Sequence, residues 1–474
     1  MVRTRFAPSP TGYMHIGNLR TALFEFLIAR HYEGTFILRI EDTDQNRIVE
    51  GAMDVIYDTL RITGLSYDEG PNVGGEYGSY IQSERKGHYM PYAKQLIEIN
   101  KAYYCFCPKE RLEGLQSGYD RHCLSLTPEE INAKLSTNEP FVVRQLIPEG
   151  KTTFHDEVFG DITVDNKEMD DQVLIKSDGM PTYNFANVVD DHTMAITHVV
   201  RGSEYLTSTP KYKLLYESFG WEVPTYVHLP LMLNEDGSKI SKRKGDASFQ
   251  DLLDMGHLPE AIINYIAFLG WSPSDSAKNQ EYFTLSDLVE AFDISNISKS
   301  PSLFDYKKLA WMNGEHMKKL PPESFYEMVL PTLQETIKTP GIDLREVARI
   351  VQSRILFVKD SIELVDFIDH LPEYDKDLYI HKKMKTDVNV ALQALEATLP
   401  VLEKLEHWDN STIYNALVAN AESIGFKNSQ VLWPIRTALS GKPSSPCGAS
   451  ELCALLGKTE SLRRLNIGMD KLQK

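Results

Sequence analysis

The sequence predicts an α/β fold: a parallel-sheet domain, interrupted by an α+β insertion and followed by an all-helical C-terminal region. Three observations support this prediction. Strand and helix patterns alternate over the first ~65 residues, as in parallel sheets with crossover helices. The same alternation returns near residue 196. From about residue 250 onward the apolar residues recur at helical spacing instead.

The first half of the sheet is predicted within residues 2–64. "VRTRF" alternates as a short strand and stops at the turn-forming "APSPTG". Residues 18–30 carry apolar side chains at helical spacing, and "GTFILRIEDTD" predicts a second strand over residues 36–40. "GAMDVIYDTLRITG" predicts a second helix, which Gly64 closes.

A second strand–helix–strand block follows the predicted insertion. It contains a strand at residues 196–200, a helix in "TPKYKLLYESFGW" and a strand in "TYVHLPLML". Further along, "LPEAIINYIAFLG", "LSDLVEAF" and residues 387–404 are amphipathic. We therefore predict five segments: 1–84 and 186–245 as the two halves of the sheet domain, 85–185 as the insertion, and 246–320 and 321–474 as helical domains.

Composition limits the function classes. A chain of 474 residues is too long to fold around one compact core, so we expect several domains. It has no apolar run near ~20 residues and no apolar signal-peptide segment, so we expect neither a membrane helix nor a leader. Five cysteines in so long a chain indicate a reducing, cytoplasmic setting. The net charge of −17 argues against an indiscriminate nucleic-acid binder but allows local basic patches.

The stretch "FAPSPTGYMHIGNLRTALFEF" places glycines and a histidine where a helix begins. Gly12 and Gly17 leave room for a ligand to approach the backbone. The amides at a helix N-terminus attract anions, and His15 adds a donor. The pattern suits a polyphosphate nucleotide at the carboxyl edge of the sheet. Taken alone, it also fits an ordinary turn with an exposed histidine.

A second stretch, "NEDGSKISKRKGDAS", follows the last predicted strand of the sheet. Lys239, Lys242, Arg243 and Lys244 lie between two glycines. Such a cationic loop would neutralise charge that develops on phosphates during attack. Taken alone, it also fits a solvated basic loop.

In this order and on this topology, "HIGN" and "KISKR" resemble the two hallmark motifs of class I aminoacyl-tRNA synthetases, which are built on a Rossmann-type fold. Asn18 and Arg243 depart from the general motifs in the manner of the glutamate branch. "RFAPSPTGYMHIGNLRTALF", "FILRIEDTD", "GLSYDEGP", "KSDGMPTYNFANVVDDH", "STPKYKLLYESFGW", "WMNG" and "PIRTALSG" extend the resemblance to glutamyl-tRNA synthetases along nearly the whole chain.

The resemblance implies a ligase that joins L-glutamate to the 3′ end of tRNA(Glu). It would form glutamyl-adenylate from ATP with Mg²⁺ and release AMP and diphosphate. In this family, activation generally awaits tRNA. The implied ATP-binding and catalytic residues are His15, Gly17, Lys239 and Lys242. The implied glutamate-binding residues are Arg5, Ser9, Glu41, Tyr183, Asn187 and Arg201, whose arginines suit the two carboxylates.

Some members of this family hold zinc in the insertion through Cys-x-Cys and a later Cys-x-His. Here Cys105, Cys107 and Cys123 match, but Ser125 stands where the histidine would be, and His122 lies on the wrong side of Cys123. Zinc accepts Cys₃His sets, although paired ligands usually have two to four residues between them, and Cys105 and Cys107 have only one. The sequence therefore favours three reduced cysteines over a zinc site.

The RNA partner is predicted to contact the helical C-terminus. After Gly441 the chain is locally basic, a feature that suits phosphate but is also common on exposed helices. By resemblance, Arg354 in "VQSRILF" reads the last anticodon base, which would restrict the enzyme to tRNA(Glu). We expect a monomer. The cations of this tail are Lys442, Lys458, Arg463, Arg464, Lys471 and Lys474.

Four alternatives stay open at this point. A glutaminyl-tRNA synthetase usually carries C-terminal β-barrels, whereas this region is helical. A short paralogue that glutamylates a tRNA base lacks the C-terminal third. A catalytically silent RNA-binding relative would be free to lose His15, Lys239 or Lys242, all of which are present. A small-molecule adenylyltransferase would not need the long helical region.

Overall fold

A computed structural model describes residues 1–116, 118–238, 240, 248–274 and 278–474. The chain divides into two compact units, residues 1–309 and 310–474. The first unit holds the predicted sheet domain and insertion, and the second is helical. The finer division into five segments stays a prediction.

All described strands lie in the first unit. In chain order they are β1 Arg3–Phe6, β2 Thr35–Leu38, β3 Ala102–Cys105, β4 Val142–Gln145, β5 Lys151–Asp156, β6 Gly160–Asp165, β7 Val173–Ile175, β8 His198–Gly202, β9 Thr225–Leu229, β10 Met232–Leu233 and β11 Ser302–Leu303.

The predicted parallel strands form two pairs, β1 with β2 and β8 with β9. β1 and β8 meet at their beginnings, where the Thr197 amide donates to the Arg3 carbonyl at 3.0 Å. Further along, the Glu25 carboxylate accepts hydrogen bonds from the backbone amides of both Arg5 and Val200. A side chain thus replaces direct strand pairing, and the sheet opens toward its carboxyl edge, where ligands bind in such folds.

The insertion contributes to two sheets. β3, β4 and β7 form an antiparallel sheet of their own. The antiparallel hairpin β5–β6 instead continues the second half of the parallel sheet, because β5 pairs with β9 at Asp156 and Tyr226. The insertion is therefore joined to the sheet domain by a shared strand edge.

The helices of the first unit cover these sheets. α1 begins at the predicted site and is buried on all sides, including the polar Arg20 and Glu25. The helices are α1 Ile16–His31, α2 Ala52–Ile62, α3 Lys86–Glu98, α4 Lys109–Glu113, α5 Pro128–Ser136, α6 Tyr183–Thr193, α7 Thr209–Phe219, α8 Phe249–Asp254, α9 Pro259–Ala267 and α10 Leu285–Ala291.

Residues 310–474 are all described and contain no β-strand. Several of their helices begin at aspartates whose side chains accept backbone hydrogen bonds, as at Asp343, Asp387 and Asp409. No described helix of the chain is long and apolar enough to span a bilayer. From the unit boundary onward the helices are α11 Tyr306–Lys319, α12 Pro322–Thr336, α13 Leu344–Val351, α14 Asp360–Val365, α15 Val388–Glu403, α16 Asn410–Ser423, α17 Asn428–Ser440, α18 Ala449–Leu456 and α19 Lys458–Gln473.

Candidate active site

A cavity of about 630 Å³ opens where β1 and β8 end. Its walls come from the loop after β1, the first turns of α1, the start of α6, the end of β8 and the segment after β9. Six residues that the sequence predicts for the site line this cavity: Arg5, Ser9, His15, Gly17, Tyr183 and Arg201.

His15 caps the N-terminus of α1. Its Nδ1 accepts a hydrogen bond of 3.0 Å from the Gly17 amide. With Nδ1 as the acceptor, the ring proton lies on Nε2. At Gly17 a Cβ atom would lie 3.1 Å from the His15 ring and 3.4 Å from Met232 Cε. Glycine therefore keeps this part of the cavity open.

The segments on either side of the lysine-rich loop lie against the start of α1. Met232 and Ile240 line the cavity together with His15 and Gly17. Beyond the loop, Ser248 pairs with His15 in a β-bridge, and the Phe249 amide donates to the Met14 carbonyl at 3.0 Å. Two stretches more than 200 residues apart in sequence thus meet at one cavity. The predicted Lys239 and Lys242 themselves lie outside the described residues.

Arg201 projects from β8 into the cavity wall and is 6% exposed. One of its nitrogens donates to the Asn187 side chain, and its guanidinium lies over the rings of Tyr205 and Tyr212. Within the described part of the chain, its Nε and Nη1 are buried without a hydrogen-bond partner. Buried donors of this kind require an acceptor, and a carboxylate matches their geometry.

Glu41 lies behind Asn187, whose Nδ2 donates to Glu41 Oε1 at 3.0 Å. The other carboxylate oxygen, Oε2, is buried and has no partner among the described residues. Burial raises the pKa of Glu41, although Arg39 and Arg5 oppose this effect. The predicted pair of Glu41 and Asn187 is therefore coupled to Arg201 and offers one open acceptor.

Arg5 is held by two carboxylates. Its Nη1 lies 3.0 Å from Glu25, and its Nε and Nη2 bond Asp191. Asp191 also accepts from Arg39 at 2.7 Å, and Arg39 in turn bonds Glu41. Burial raises the pKa of Asp191, but Arg5 and Arg39 outweigh it and hold that pKa below the ordinary value. Arg5 lines the cavity, but Glu25 and Asp191 already compensate its charge. Binding of glutamate by Arg5 stays a prediction.

Glu25, Arg39 and Asp191 are buried charges of this site that the sequence did not predict. All three are at most 1% exposed in their side chains. A signal for them exists, because Glu25 and Arg39 interrupt apolar runs in "ALFEFLIA" and "FILRIE", and Asp191 follows an apolar run in "FANVVDDH". A charge inside such a run is rarely buried unless it is paired. The sequence could therefore have indicated buried ion pairs, although not which residues pair.

The three predicted cysteines of the insertion come together. The sulfurs of Cys105, Cys107 and Cys123 lie within 4.8 Å of one another. The hydroxyl of Tyr119 lies 3.2 Å from Cys105 Sγ and 3.4 Å from Cys107 Sγ. His122 is exposed and takes no part in this cluster. The three thiols can supply three of the four ligands of tetrahedral zinc, and the Tyr119 hydroxyl lies beside them, although the sequence predicted free thiols.

The basic tail is largely occupied by contacts within the second unit. Arg464 is buried and donates to the carbonyls of Phe367, Ile368 and Leu439. The ammonium groups of Lys442, Lys458 and Lys471 also donate to backbone carbonyls. These cations are therefore structural, whereas the predicted Arg354 lies exposed just after α13.

Two family models match this chain. Residues 1–311 match the catalytic domain of class I tRNA synthetases (E and Q). Residues 324–469 match an anticodon-binding domain. Together they cover both compact units.

Individual proteins match along the full length. The glutamate–tRNA ligase of Clostridium botulinum (strain Hall) is 55% identical over 482 aligned positions, which cover 100% of this chain and 99% of the relative. That of Clostridium acetobutylicum is 54% identical with the same coverage. The crystal structure of a glutamate tRNA ligase from Elizabethkingia meningosepticum, in complex with its amino acid, matches with a TM-score of 0.86, 33% identity and 99% coverage of both chains. The chain therefore belongs to the glutamate–tRNA ligase family of class I tRNA synthetases.

Proposed function

We propose that this chain ligates L-glutamate to the 3′ end of tRNA(Glu) in two steps. The glutamate α-carboxylate attacks the α-phosphorus of ATP, and diphosphate leaves. A terminal ribose hydroxyl of the tRNA then takes the acyl group from the adenylate, and AMP leaves. One observation carries the proposal: a single cavity joins the glycine–histidine start of α1 with an arginine whose buried donors lack an acceptor.

Glutamate binds, in this proposal, between Arg201 and Glu41. The unpaired nitrogens of Arg201 receive a substrate carboxylate, and Glu41 Oε2 receives the ammonium. Ser9, Tyr183 and Arg5 complete this side of the cavity, and Asn187 joins Arg201 to Glu41. Glutamine is rejected because a neutral amide leaves buried arginine donors poorly satisfied, and sites built on a polar partner discriminate by roughly 10⁴–10⁵-fold.

ATP binds at the start of α1, with Mg²⁺ on its phosphates. His15 donates from Nε2 to the phosphates, and Gly17 provides clearance for the adenosine. Lys239 and Lys242 stabilise the departing diphosphate. No side-chain nucleophile is needed, because positioning and charge stabilisation dominate phosphoryl chemistry.

The cysteine cluster, in our proposal, is a structural zinc site with Cys105, Cys107, Cys123 and Tyr119 as ligands. Interactions with Tyr119 and Arg144 overcome the effect of burial and lower the pKa of Cys105, whereas burial raises the pKa of Cys107 to about 11. Zinc binding would therefore have to displace the proton of the Cys107 thiol. The cluster packs against the aromatic and aliphatic side chains of the insertion. The metal would therefore stabilise the insertion and take no part in catalysis.

The RNA partner is tRNA(Glu), bound through the anticodon-binding region in the second unit. Arg354 reads the last anticodon base in this proposal, and the enzyme acts as a cytoplasmic monomer.

Charging purified tRNA(Glu) and tRNA(Gln) with labelled glutamate and ATP tests the proposal. We expect glutamylation of tRNA(Glu) alone, with AMP formed in proportion to the charged tRNA. Charging of both tRNAs would contradict the role of Arg354, and charging of neither would contradict the function. Lys242→Ala should lower turnover by ~10²-fold with little change in tRNA affinity, as expected for a group that acts in the transition state.

A further inference from the structure

Arg20 lies one turn into α1 and joins three distant parts of the first unit. Its side chain is 4% exposed. Nη1 donates to the Leu269 carbonyl at 2.8 Å, and Nη2 donates to the Pro230 carbonyl at 2.6 Å. These partners are 249 and 210 residues away in sequence. One guanidinium therefore connects α1, whose N-terminus lines the cavity, to the segments that follow α9 and β9.

The segment after β9 forms one wall of the cavity. Pro230, Leu231 and Met232 all line it. Met232 faces Gly17, where its Cε lies 3.4 Å from the position of a Cβ atom. The separation between this wall and Gly17 sets the width of the cavity on the side where the proposed adenosine lies.

Gly270 lets the two carbonyl-bearing segments approach each other. Its φ is +112°, and a Cβ atom there would lie 2.8 Å from Pro230 Cγ and 3.5 Å from Arg20 Nη1. A side chain at this position would push Pro230 away from α9. A substitution at Gly270 would therefore disturb the segments that hold Pro230 and Leu269 without removing the guanidinium of Arg20.

We propose that Arg20 is a positioning residue for ATP, because it fixes the wall formed by residues 230–232 against the start of α1. This inference rests on the proposed function, which assigns the nucleotide to that side of the cavity. Burial lowers the pKa of Arg20 to about 10, so the side chain stays charged at neutral pH. A hydrogen bond from a charged donor is roughly twice as strong as a neutral one, and without Arg20 two buried carbonyls would lose their donor.

The test compares Arg20→Met, Arg20→Lys and Gly270→Ala with the wild type in aminoacylation at saturating tRNA. For Arg20→Met we expect the KM for ATP to rise ~10-fold or more, while the KM for glutamate changes less than ~2-fold. Arg20→Lys should recover part of the loss, because it keeps a charged donor. Gly270→Ala should also raise the KM for ATP, since it moves the same wall.

Arg464→Met is the matched control, because Arg464 also donates to buried carbonyls but lies in the second unit. It should lower the melting temperature without changing the KM for ATP. An unchanged KM for ATP in Arg20→Met would overturn the inference. A raised KM in Arg20→Met together with a wild-type KM in Gly270→Ala would also overturn it, because Arg20 would then act by direct contact. Failure of the wild type to charge tRNA would instead contradict the proposed function.

Discussion

At the scale of single residues, the donors of Arg201 give the sharpest prediction for substrate binding. Arg201→Met should raise the KM for glutamate by ~10²-fold, because the carboxylate loses a bidentate charged partner. The KM for ATP should change little. The KM for glutamate of Arg201→Lys should lie between those of the wild type and Arg201→Met, because an ammonium keeps the charge but cannot make the bidentate contact. Steady-state aminoacylation with varied glutamate and varied ATP measures both constants.

The control for this prediction is Arg30→Met, because Arg30 pairs with Asp68 at the surface, away from the cavity. A wild-type KM for glutamate in Arg201→Met would show that the substrate carboxylates bind elsewhere. Equal increases in both constants would show that Arg201 supports the whole cavity rather than the amino acid.

The residues of the site differ in how far the sequence reveals them. His15, Gly17 and Arg201 follow from motifs or from strand ends, and the structure brings them to one cavity. The ion network of Arg5, Arg39 and Asp191 depends on strand order. Its members are up to 186 residues apart, so no local pattern shows that they meet.

His316 on α11 provides a pH test at the same scale. Burial, with a contribution from Lys319, lowers the pKa of this histidine from 6.5 to about 4. The unfolded chain then binds a proton that the folded chain does not bind, so the free energy of unfolding falls as the pH drops from 6.5 toward 4. His316→Gln should lose less stability than the wild type between pH 7 and pH 5. Urea unfolding at both values measures this, and equal losses would refute it.

At the scale of elements, helices with one apolar face were the easiest to predict. The spacing predicts that one face of α15 carries Val388, Leu392, Leu395, Leu399 and Leu402. Leu395 and Leu402 are fully buried, whereas the other three are half-buried. The rest of the buried face is formed by the small residues Ala391, Ala394 and Thr398. Periodicity finds the helix, but the packing distance between neighbouring helices decides which face is innermost, and small side chains allow the closest approach.

The insertion shows the opposite case. The hairpin β5–β6 is a local pairing of neighbouring strands. However, β5 also pairs with β9, some 70 residues further along the chain. Tyr119 joins the cysteine cluster through a loop, with no spacing that matches a usual zinc motif. Both features depend on tertiary contacts, so local sequence patterns could not reveal them.

The proposed zinc site predicts one zinc ion per chain, measurable by elemental analysis of the purified protein. Cys123→Ala should lose the metal and lower the melting temperature, because zinc binding contributes directly to folding. Tyr119→Phe should weaken metal binding less, since three thiolates remain. Cys447→Ala is the control, because Cys447 lies in the second unit outside the cluster. A metal-free wild type, or full metal content in Cys123→Ala, would contradict the site.

At the scale of the whole molecule, charge and function must be reconciled. The chain carries a net charge of −17, yet its proposed substrate is a polyanion. The basic tail does not resolve this, because four of its cations, Lys442, Lys458, Arg464 and Lys471, donate to carbonyls of the second unit. The proposed recognition of tRNA therefore relies on cations outside this group, such as the exposed Arg354. An acidic surface elsewhere would oppose nonspecific RNA binding and so favour selectivity.

Because the second unit has its own helical core, we predict that residues 305–474 fold without the rest of the chain. The cut precedes α11 and keeps Asp305, whose side chain accepts from the amides of Lys307 and Lys308. The fragment should unfold cooperatively by circular dichroism, as expected for a compact domain. It should bind tRNA(Glu) in filter assays with an affinity that falls as salt rises. Arg354→Ala should weaken this binding and reduce the preference over tRNA(Gln), while leaving the melting curve unchanged. A fragment that folds but binds both tRNAs equally would show that discrimination requires the first unit.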